Sequence, residues 1–282
     1  MNKLLIIMTL SISILIEALG GNSAGALTLR SWNSANQRGG DLFNDGKGAL
    51  LYGEFRASLL ERSHTILPGV STLTEANLAD VDIFFHGTSS TILTPTESTV
   101  LRNFVKTGGF VIVESDSNLS EQNSANSVLE SLGIGSRYAG IVGGVNSPTG
   151  GTFQNTVSPT TVGALGDLRG QTFGTSLATD IDPMVTDITP TGGMLIGTNG
   201  SIRSMVEFQP FANGGQVLAV GDAYGFNLFQ SSENSFFNPN NQKAYINFIE
   251  SKNFKTPVPE TSTLLGLLTL GTCAIGTKLS KK

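Results

Sequence analysis

The hydrophobic pattern predicts short strands and helices that alternate through the middle of the chain. In residues 49–61 apolar side chains recur every four positions, which indicates one face of a helix. Continuous apolar runs at residues 81–85 and 110–113 indicate buried strands. Further strands are expected at residues 27–30, 65–67, 194–196, 205–208 and 217–220, and further helices around residues 128–132 and 241–251. This alternation predicts an α/β domain with a largely parallel sheet.

One helix has a complete start signal. Thr94 is a suitable N-cap, Pro95 fits the first helical position, and Glu97 stands three residues after Thr94 to close a capping box. Gly108 is placed to end this helix in the left-handed conformation. The sequence therefore predicts a helix between these positions, followed by the strand at 110–113.

The alternation stops in residues 135–183, which are rich in Gly, Thr and Ser and poor in charge. No helical period is found there. We expect loops and short antiparallel strands inserted on or beside the sheet. Such a segment, mounted on a rigid sheet, is a common location for binding specificity.

Residues 108–116 and 214–222 share a pattern of a Gly-Gly turn, an apolar strand and a final Asp. A Gly-Gly turn before an apolar run is typical of entry into a central parallel strand. Asp116 and Asp222 are then expected at the carboxyl edge of the sheet, where His86 ends a third strand. Open α/β sheets bind their ligands at this edge.

Composition changes the interpretation of the two ends. Residues 1–26 have Lys3, an uncharged apolar run at residues 4–16 and small residues for cleavage, which is typical of a secretory signal peptide. A first core helix is the alternative, but the run is too short to span a bilayer and glycines follow it. The expected domain is therefore residues 27–254.

The last residues, 255–282, combine a Pro-containing turn, the uncharged stretch 261–277 and a lysine tip. The motif at the turn is Val258, Pro259, Glu260, Thr261 and Ser262. This tail resembles the PEP-CTERM sorting signal of exported bacterial proteins, with Thr261 in place of the usual second Pro. The resemblance implies a single membrane segment, processing by an exosortase after passage through the export machinery, and delivery to the cell envelope or extracellular matrix. A plain C-terminal anchor is the alternative.

Charge and cysteine content exclude several classes of function. Residues 27–254 contain 12 Lys+Arg against 20 Asp+Glu, a net charge of −8, which does not suit a nucleic-acid partner. The single cysteine, Cys273, lies in the tail. The expected domain therefore has no disulfide and no thiol nucleophile. No phosphate-binding loop is found, and we expect no cofactor.

Residues 79–85 and 108–113, with Gly221-Asp222, Asn227 and Asn240-Asn241 further on, resemble the class I glutamine amidotransferase-like superfamily. The similarity is to its non-catalytic branch in gliding-motility and intraflagellar-transport proteins. It implies a flavodoxin-like sheet with helices on both faces, and a binding role for Asn227. The catalytic members have a Cys in the turn after a central strand, whereas residues 114–117 here are Glu-Ser-Asp-Ser. This departure removes the amidotransferase nucleophile.

Other chemistry at the predicted edge needs Ser115, His86, Asp116 or Asp222. A Ser-His-Asp triad is disfavoured because acidic neighbours flank Ser115 where a nucleophile elbow has Gly. The pair Asp116 and Asp222 could perform acid–base hydrolysis with His86 as a base. Alternatively, each Asp accepts hydrogen bonds from backbone N–H groups, and His86 is a hydrogen-bonded turn residue.

A metal site has weaker support. Asp180 and Asp182 offer oxygen ligands for Ca²⁺, although their spacing matches no EF-hand and surface acids are the alternative. His64, at the start of an edge strand, is expected in solvent. Two hypotheses follow: a non-enzymatic envelope or matrix protein that binds a polysaccharide or a surface protein, or an exported hydrolase using an Asp/His site at the carboxyl edge.

Overall fold

A computed structural model describes residues 25–33, 49–115, 119–142, 151–174, 178–183, 193–199, 202–221 and 238–253. The predicted signal peptide before residue 25 and the predicted sorting signal lie outside these residues. Within the described part of the chain, no helix is long and apolar enough to cross a membrane.

Five helices and thirteen strands are described. The helices are α1 (Ala49–Glu61), α2 (Glu75–Leu78), α3 (Pro95–Lys106), α4 (Leu119–Ser131) and α5 (Pro239–Ser251). The first strands are β1 (Thr28–Ser31), β2 (Thr65–Ile66), β3 (Ile83–Gly87), β4 (Phe110–Glu114) and β5 (Ser136–Val142). The next are β6 (Gly151–Phe153), β7 (Val162–Gly163), β8 (Gly166–Asp167) and β9 (Thr172–Phe173). The last are β10 (Ala178–Pro183), β11 (Met194–Asn199), β12 (Ile202–Phe208) and β13 (Val217–Val220).

The main sheet has nine strands in the order β2-β1-β3-β4-β13-β12-β11-β6-β9. The first five strands of this order are parallel to one another, and each later neighbouring pair is antiparallel. The parallel half has the strand order of a flavodoxin-like sheet. The predicted α/β class, with its parallel central strands, is therefore confirmed.

Helices cover both faces of the sheet. Alternate residues of each central strand point to opposite faces, so Phe85 packs with the apolar residues of α1 and α5 while Phe84 packs with those of α3 and α4. All five residues of β3 and of β4 are buried. This explains why these strands are continuous apolar runs in the sequence.

The start of α3 is the predicted capping box. The Thr94 hydroxyl accepts from the Glu97 N–H at 3.3 Å, and the Glu97 carboxylate accepts from the Thr94 N–H at 3.0 Å. The chain leaves the helix through Gly108, whose φ is +106°. Such a φ is accessible to glycine at little cost.

The repeated Gly-Gly pattern corresponds to two adjacent parallel strands. Val217 lies opposite Val111 and Val220 opposite Glu114, which is the register of the sequence similarity itself. The turns that precede these strands touch backbone to backbone, because a Cβ on Gly215 would lie 1.8 Å from the carbonyl oxygen of Gly109. The glycine is needed here for close approach.

The inserted segment forms short antiparallel strands, as predicted. β6 and β9 extend the main sheet beyond β11. β7 and β8 form a small hairpin, and β5 pairs with β10 in a separate two-stranded sheet.

Candidate functional site

The carboxyl ends of β1, β3, β4 and β13 share one edge of the sheet. Trp32 follows β1, His86 lies near the end of β3, and Glu114 ends β4. Asp116, Asp222 and Asn227 lie outside the described residues.

His86 is fully buried and has a partner at each ring nitrogen. The Trp32 indole N–H donates to His86 Nδ1 at 2.9 Å. Since an indole is only a donor, Nδ1 accepts and the imidazole proton is on Nε2. Nε2 then donates to Ser124 Oγ at 3.1 Å, and that hydroxyl donates to the Thr91 carbonyl at 2.6 Å.

This chain of hydrogen bonds fixes His86 as a neutral imidazole. Burial lowers the pKa of His86 from 6.5 to about 3. A protonated ring would place a buried charge beside the donor of Trp32. The arrangement matches the interpretation of His86 as a structural hydrogen-bonded residue more closely than that of a general base.

Glu114 is held between two tyrosines. Its carboxylate accepts from the hydroxyl of Tyr52 at 2.9 Å and from the hydroxyl of Tyr245. The residue is 1% exposed. Burial, together with the nearby carboxylate, raises the pKa of Tyr245 well above 10, so the phenol remains a donor.

A third tyrosine connects the two similar strands. The hydroxyl of Tyr138 donates to the Val113 carbonyl at 2.9 Å and accepts from the Val220 N–H at 3.1 Å. Ser115, which follows β4, is fully buried, and its N–H donates to the Val220 carbonyl at 3.0 Å. Of the side chains predicted at this edge, His86 and Ser115 are thus part of the packing between strands and helices.

The expectation that His64 is in solvent is wrong, since the residue is 3% exposed. Its Nδ1 accepts from the Leu27 N–H, and its Nε2 lies 3.2 Å from the Glu250 carboxylate, which also binds the Arg62 guanidinium. Burial lowers the pKa of His64, while the charge of Glu250 opposes this shift. Helix α5 brings Glu250 to His64, just before the short edge strand β2.

Asparagines of α5 and its N-cap hold the inserted segment. Asn247 is fully buried; its Oδ1 accepts from the Leu165 N–H at 2.7 Å, and its Nδ2 donates to the carbonyls of Thr160 and Gly166. Asn241 makes a two-way pair with the backbone of Gly174. These clamps were not predicted from the sequence. The sequence contained one indication of them: Asn241 lies three residues before Ala244, on the apolar face of the helix.

The weak calcium candidates lie on β10. Asp180 pairs with Ala139 and Asp182 with Arg137 across the β5–β10 ladder. Their side chains lie outside the described part of the structure. Among the side chains that are described, no group of three His, Cys, Asp or Glu could hold a metal ion.

Comparisons with known proteins give a likeness of fold. No protein-family profile matches the chain, and no curated protein matches it. The mmIFT52 N-terminal domain superposes with a TM-score of 0.52 at 13% identity, covering 82% of this chain and 99% of that domain. The cytoplasmic protein STM3548 from Salmonella typhimurium superposes with a TM-score of 0.50 at 11% identity, covering 79% and 98%. Similarity at these identities concerns the arrangement of the strands and helices alone.

Proposed function

We propose that this chain is a non-enzymatic binding protein of the cell envelope or extracellular matrix, whose α/β domain holds a polysaccharide or another surface protein. The main support is the hydrogen-bond network among the described residues of the carboxyl edge. Both ring nitrogens of His86 and both carboxylate oxygens of Glu114 are used within the fold. A general base must instead have access to the proton that it removes.

The location rests on the two ends of the sequence. The signal peptide predicted at residues 1–26 and the PEP-CTERM-like tail at 255–282 together favour export and processing by an exosortase. Cell fractionation tests this part of the proposal. The full chain should reach the envelope or the medium, and deletion of residues 255–282 should change its distribution in a host that has an exosortase. Equal distributions of the two chains would contradict the sorting role of the tail.

One observation favours a second candidate, an exported hydrolase. β4 and β13 are neighbours, with Val220 opposite Glu114. Asp116 and Asp222 therefore follow adjacent parallel strands, as an acid–base pair would require. In this alternative the two aspartates perform the acid–base chemistry, since both ring nitrogens of His86 are already bonded.

One experiment separates the two candidates. The full chain is incubated with polysaccharide from an exopolysaccharide-producing bacterium, and both co-sedimentation and release of reducing ends are measured. A binding protein co-sediments without releasing reducing ends, and Asp222→Asn leaves its binding unchanged. A hydrolase releases reducing ends, and the same substitution lowers the rate by a factor on the order of 10²–10⁴. The second result would refute the non-enzymatic proposal.

A further inference from the structure

The buried part of the domain begins at Leu27, the residue that follows the predicted signal peptide. Gly25 and Ala26 are exposed, whereas Leu27 is 3% exposed and packs in the core with apolar residues of α1 and α5. On the surface before Leu27, Asn253 Nδ2 donates to the Gly25 carbonyl at 2.6 Å. The boundary that the sequence predicts for cleavage is therefore also the boundary between exposed and buried chain.

A histidine with a carboxylate behind it receives the Leu27 nitrogen. The Leu27 N–H donates to His64 Nδ1 at 3.2 Å, and His64 Nε2 lies 3.2 Å from Glu250 Oε1. Because Nδ1 accepts from the backbone, the imidazole proton is on Nε2 and is donated to Glu250. His64 is 3% exposed and Glu250 is 1% exposed. The lone pair of Nδ1 is thus held toward the Leu27 nitrogen by groups that are themselves buried.

The charges around this histidine favour a cation. Burial lowers the pKa of His64, and the charge of Glu250 opposes that shift more strongly than the charge of Arg62 adds to it. The charge of Asp82 also opposes the shift. The two carboxylates therefore outweigh the guanidinium at the ring, and a positive group beside Nδ1 is attracted to the site.

Asp82 lies close to the same nitrogen. Its Oδ2 accepts from the Thr28 N–H at 2.9 Å, one residue along the chain from Leu27. Its Oδ1 lies 3.2 Å from Lys252 Nζ, and the Lys252 side chain is 20% exposed, so water screens part of that positive charge. A cation at the Leu27 nitrogen would therefore have one carboxylate behind His64 and a second beside the next residue.

Removal of the signal peptide would turn the amide at this site into an amine. Hydrolysis breaks the C–N bond between Ala26 and Leu27; the hydroxyl of water goes to the Ala26 carbonyl carbon and its hydrogen to the Leu27 nitrogen. The new carboxylic acid loses its proton to solvent, and the amine, whose ordinary pKa is about 8, takes one up. One N–H then stays on His64, and the others reach water at the exposed position that Ala26 occupied. A hydrogen bond from an ionised donor is about twice as strong as a neutral one.

We infer that Leu27 is the amino terminus of the exported protein and that His64, with Glu250 behind it, holds its α-ammonium group. The inference rests on the proposed export of the chain, and it adds the position of the cut and the location of the new end. The cut must come before folding, because Leu27 is buried once β1 pairs with β2 and β3. A held terminus also protects the exported protein from aminopeptidases, which attack free ends.

The test uses the protein exported by a bacterial host that removes the signal peptide itself. Mass spectrometry of the intact protein and of its first peptide identifies the first residue. The α-amine is then acetylated with a limiting amount of reagent, once in the folded protein and once in guanidinium chloride. Lys106, which is exposed at the end of α3, is the internal control for amine reactivity.

Two matched chains complete the test. His64→Leu removes the acceptor and keeps a side chain of similar size. A chain released from a fusion partner with Gly25 as its first residue moves the amine out of the site by two residues. Each chain is first shown to unfold cooperatively. The comparison of folded and unfolded unsubstituted protein needs no variant, so it decides the question if His64→Leu fails to fold.

We expect Leu27 as the first residue of the exported protein. Its α-amine should react at least about tenfold more slowly in the folded than in the unfolded protein, because a buried end becomes accessible only through local opening. Lys106 should react at similar rates in both states. His64→Leu should lose most of this protection, and the chain that begins at Gly25 should show none.

Three results would overturn the inference in different ways. An exported protein that begins at a residue other than Leu27 would refute the assigned cut and leave the proposed export intact. Leu27 as the first residue, with equal reaction rates in the folded and unfolded protein, would refute the capture by His64 alone. A chain that keeps residues 1–26 and stays in the cytoplasm would refute the proposed export, and the inference with it.

Discussion

The buried His86 should make the protein lose stability in acid by a predictable amount. In the folded chain burial lowers the His86 pKa to about 3, against 6.5 in an unfolded chain. Above pH 6.5 the ring is neutral in both states, so it adds no pH dependence. Between pH 6.5 and 3 the unfolded chain takes up a proton that the folded chain excludes, and stability falls as the pH falls. Below about pH 3 both states are protonated and this contribution becomes constant.

The size of the effect follows from the shift. One pKa unit corresponds to about 1.4 kcal/mol, so acidification to pH 4.5 should lower the free energy of unfolding by about 3 kcal/mol through His86 alone. Complete protonation should cost about 5 kcal/mol. These values are large beside the 5–15 kcal/mol typical of a whole domain. The physical cause is the loss of the Trp32 hydrogen bond together with the burial of a charge.

The assay is urea unfolding at pH 7.0 and pH 4.5, followed by the fluorescence of Trp32, the single tryptophan of the chain. His86→Gln retains an acceptor and a donor without titrating in this range. The unsubstituted chain should lose about 3 kcal/mol more stability than this variant between the two pH values. His64→Gln measures how much of the loss in acid comes from the other histidine, whose pKa is also lowered.

Equal losses of stability in the unsubstituted chain and His86→Gln would refute this reasoning. An independent measurement covers the case in which His86→Gln fails to fold. The imidazole carbon resonances of His86 in the intact protein should keep their neutral positions down to pH 4.5. A titration of His86 near pH 6 would show that the ring is open to solvent, and the closed network at the carboxyl edge would be contradicted.

Three further predictions concern stability, each measured by urea unfolding. Gly215→Ala should lower the free energy of unfolding by at least about 3 kcal/mol, because the new Cβ would lie 1.8 Å from the Gly109 carbonyl oxygen. A Cβ at Gly108 meets no atom within 4 Å, so Gly108→Ala should cost only its backbone strain, about 1 kcal/mol. Equal losses in the two variants would contradict the close approach of the two turns. Asn247→Ala should cost about 2–3 kcal/mol, since it leaves three backbone groups without their side-chain partner, and a cost below 0.5 kcal/mol, the low end for one net hydrogen bond, would show that the clamp is dispensable. Burial raises the pKa of Glu207, so the stability that its protonated form contributes at low pH is lost as the pH rises through the folded-state pKa. Glu207→Gln does not titrate, and its stability relative to the unsubstituted chain should therefore increase between pH 4 and pH 8. A difference in stability that stays constant over this range would refute the prediction.

The features that could be predicted from the sequence are those whose causes are local. Thr94, Pro95 and Glu97 stand within four residues of one another and specify the start of α3 by themselves. The similarity between residues 108–114 and 214–220 predicted two equivalent strands, because each turn and strand is a continuous segment. Their identical register follows from the contact between the two Gly-Gly turns, which aligns the strands from their first residues.

The features that the sequence did not reveal depend on distant residues. His64 immediately precedes the two-residue edge strand β2, and its partners are distant in the chain: Leu27, 37 positions earlier, and Glu250, 186 positions later. Asn247 reads as one more polar position of an amphipathic helix, yet it binds backbone groups about 80 positions earlier in the chain. A hydrophobic pattern reports whether a position is apolar, and it contains no information about which backbone groups a buried amide will satisfy.

The same difference between local and distant causes applies to the candidate site at the carboxyl edge. The sequence placed His86 and the two aspartates at one edge because parallel strands end together. The strands β3, β4 and β13 do run parallel, so their backbones end at one edge. Whether such a side chain is reactive depends on what surrounds it, and Trp32, which pairs with His86, lies just after β1, 54 positions earlier in the chain. A polar residue at the end of a central strand therefore becomes evidence for catalysis only after its neighbours across the sheet are known to leave it a free nitrogen or oxygen, and His86 fails this test.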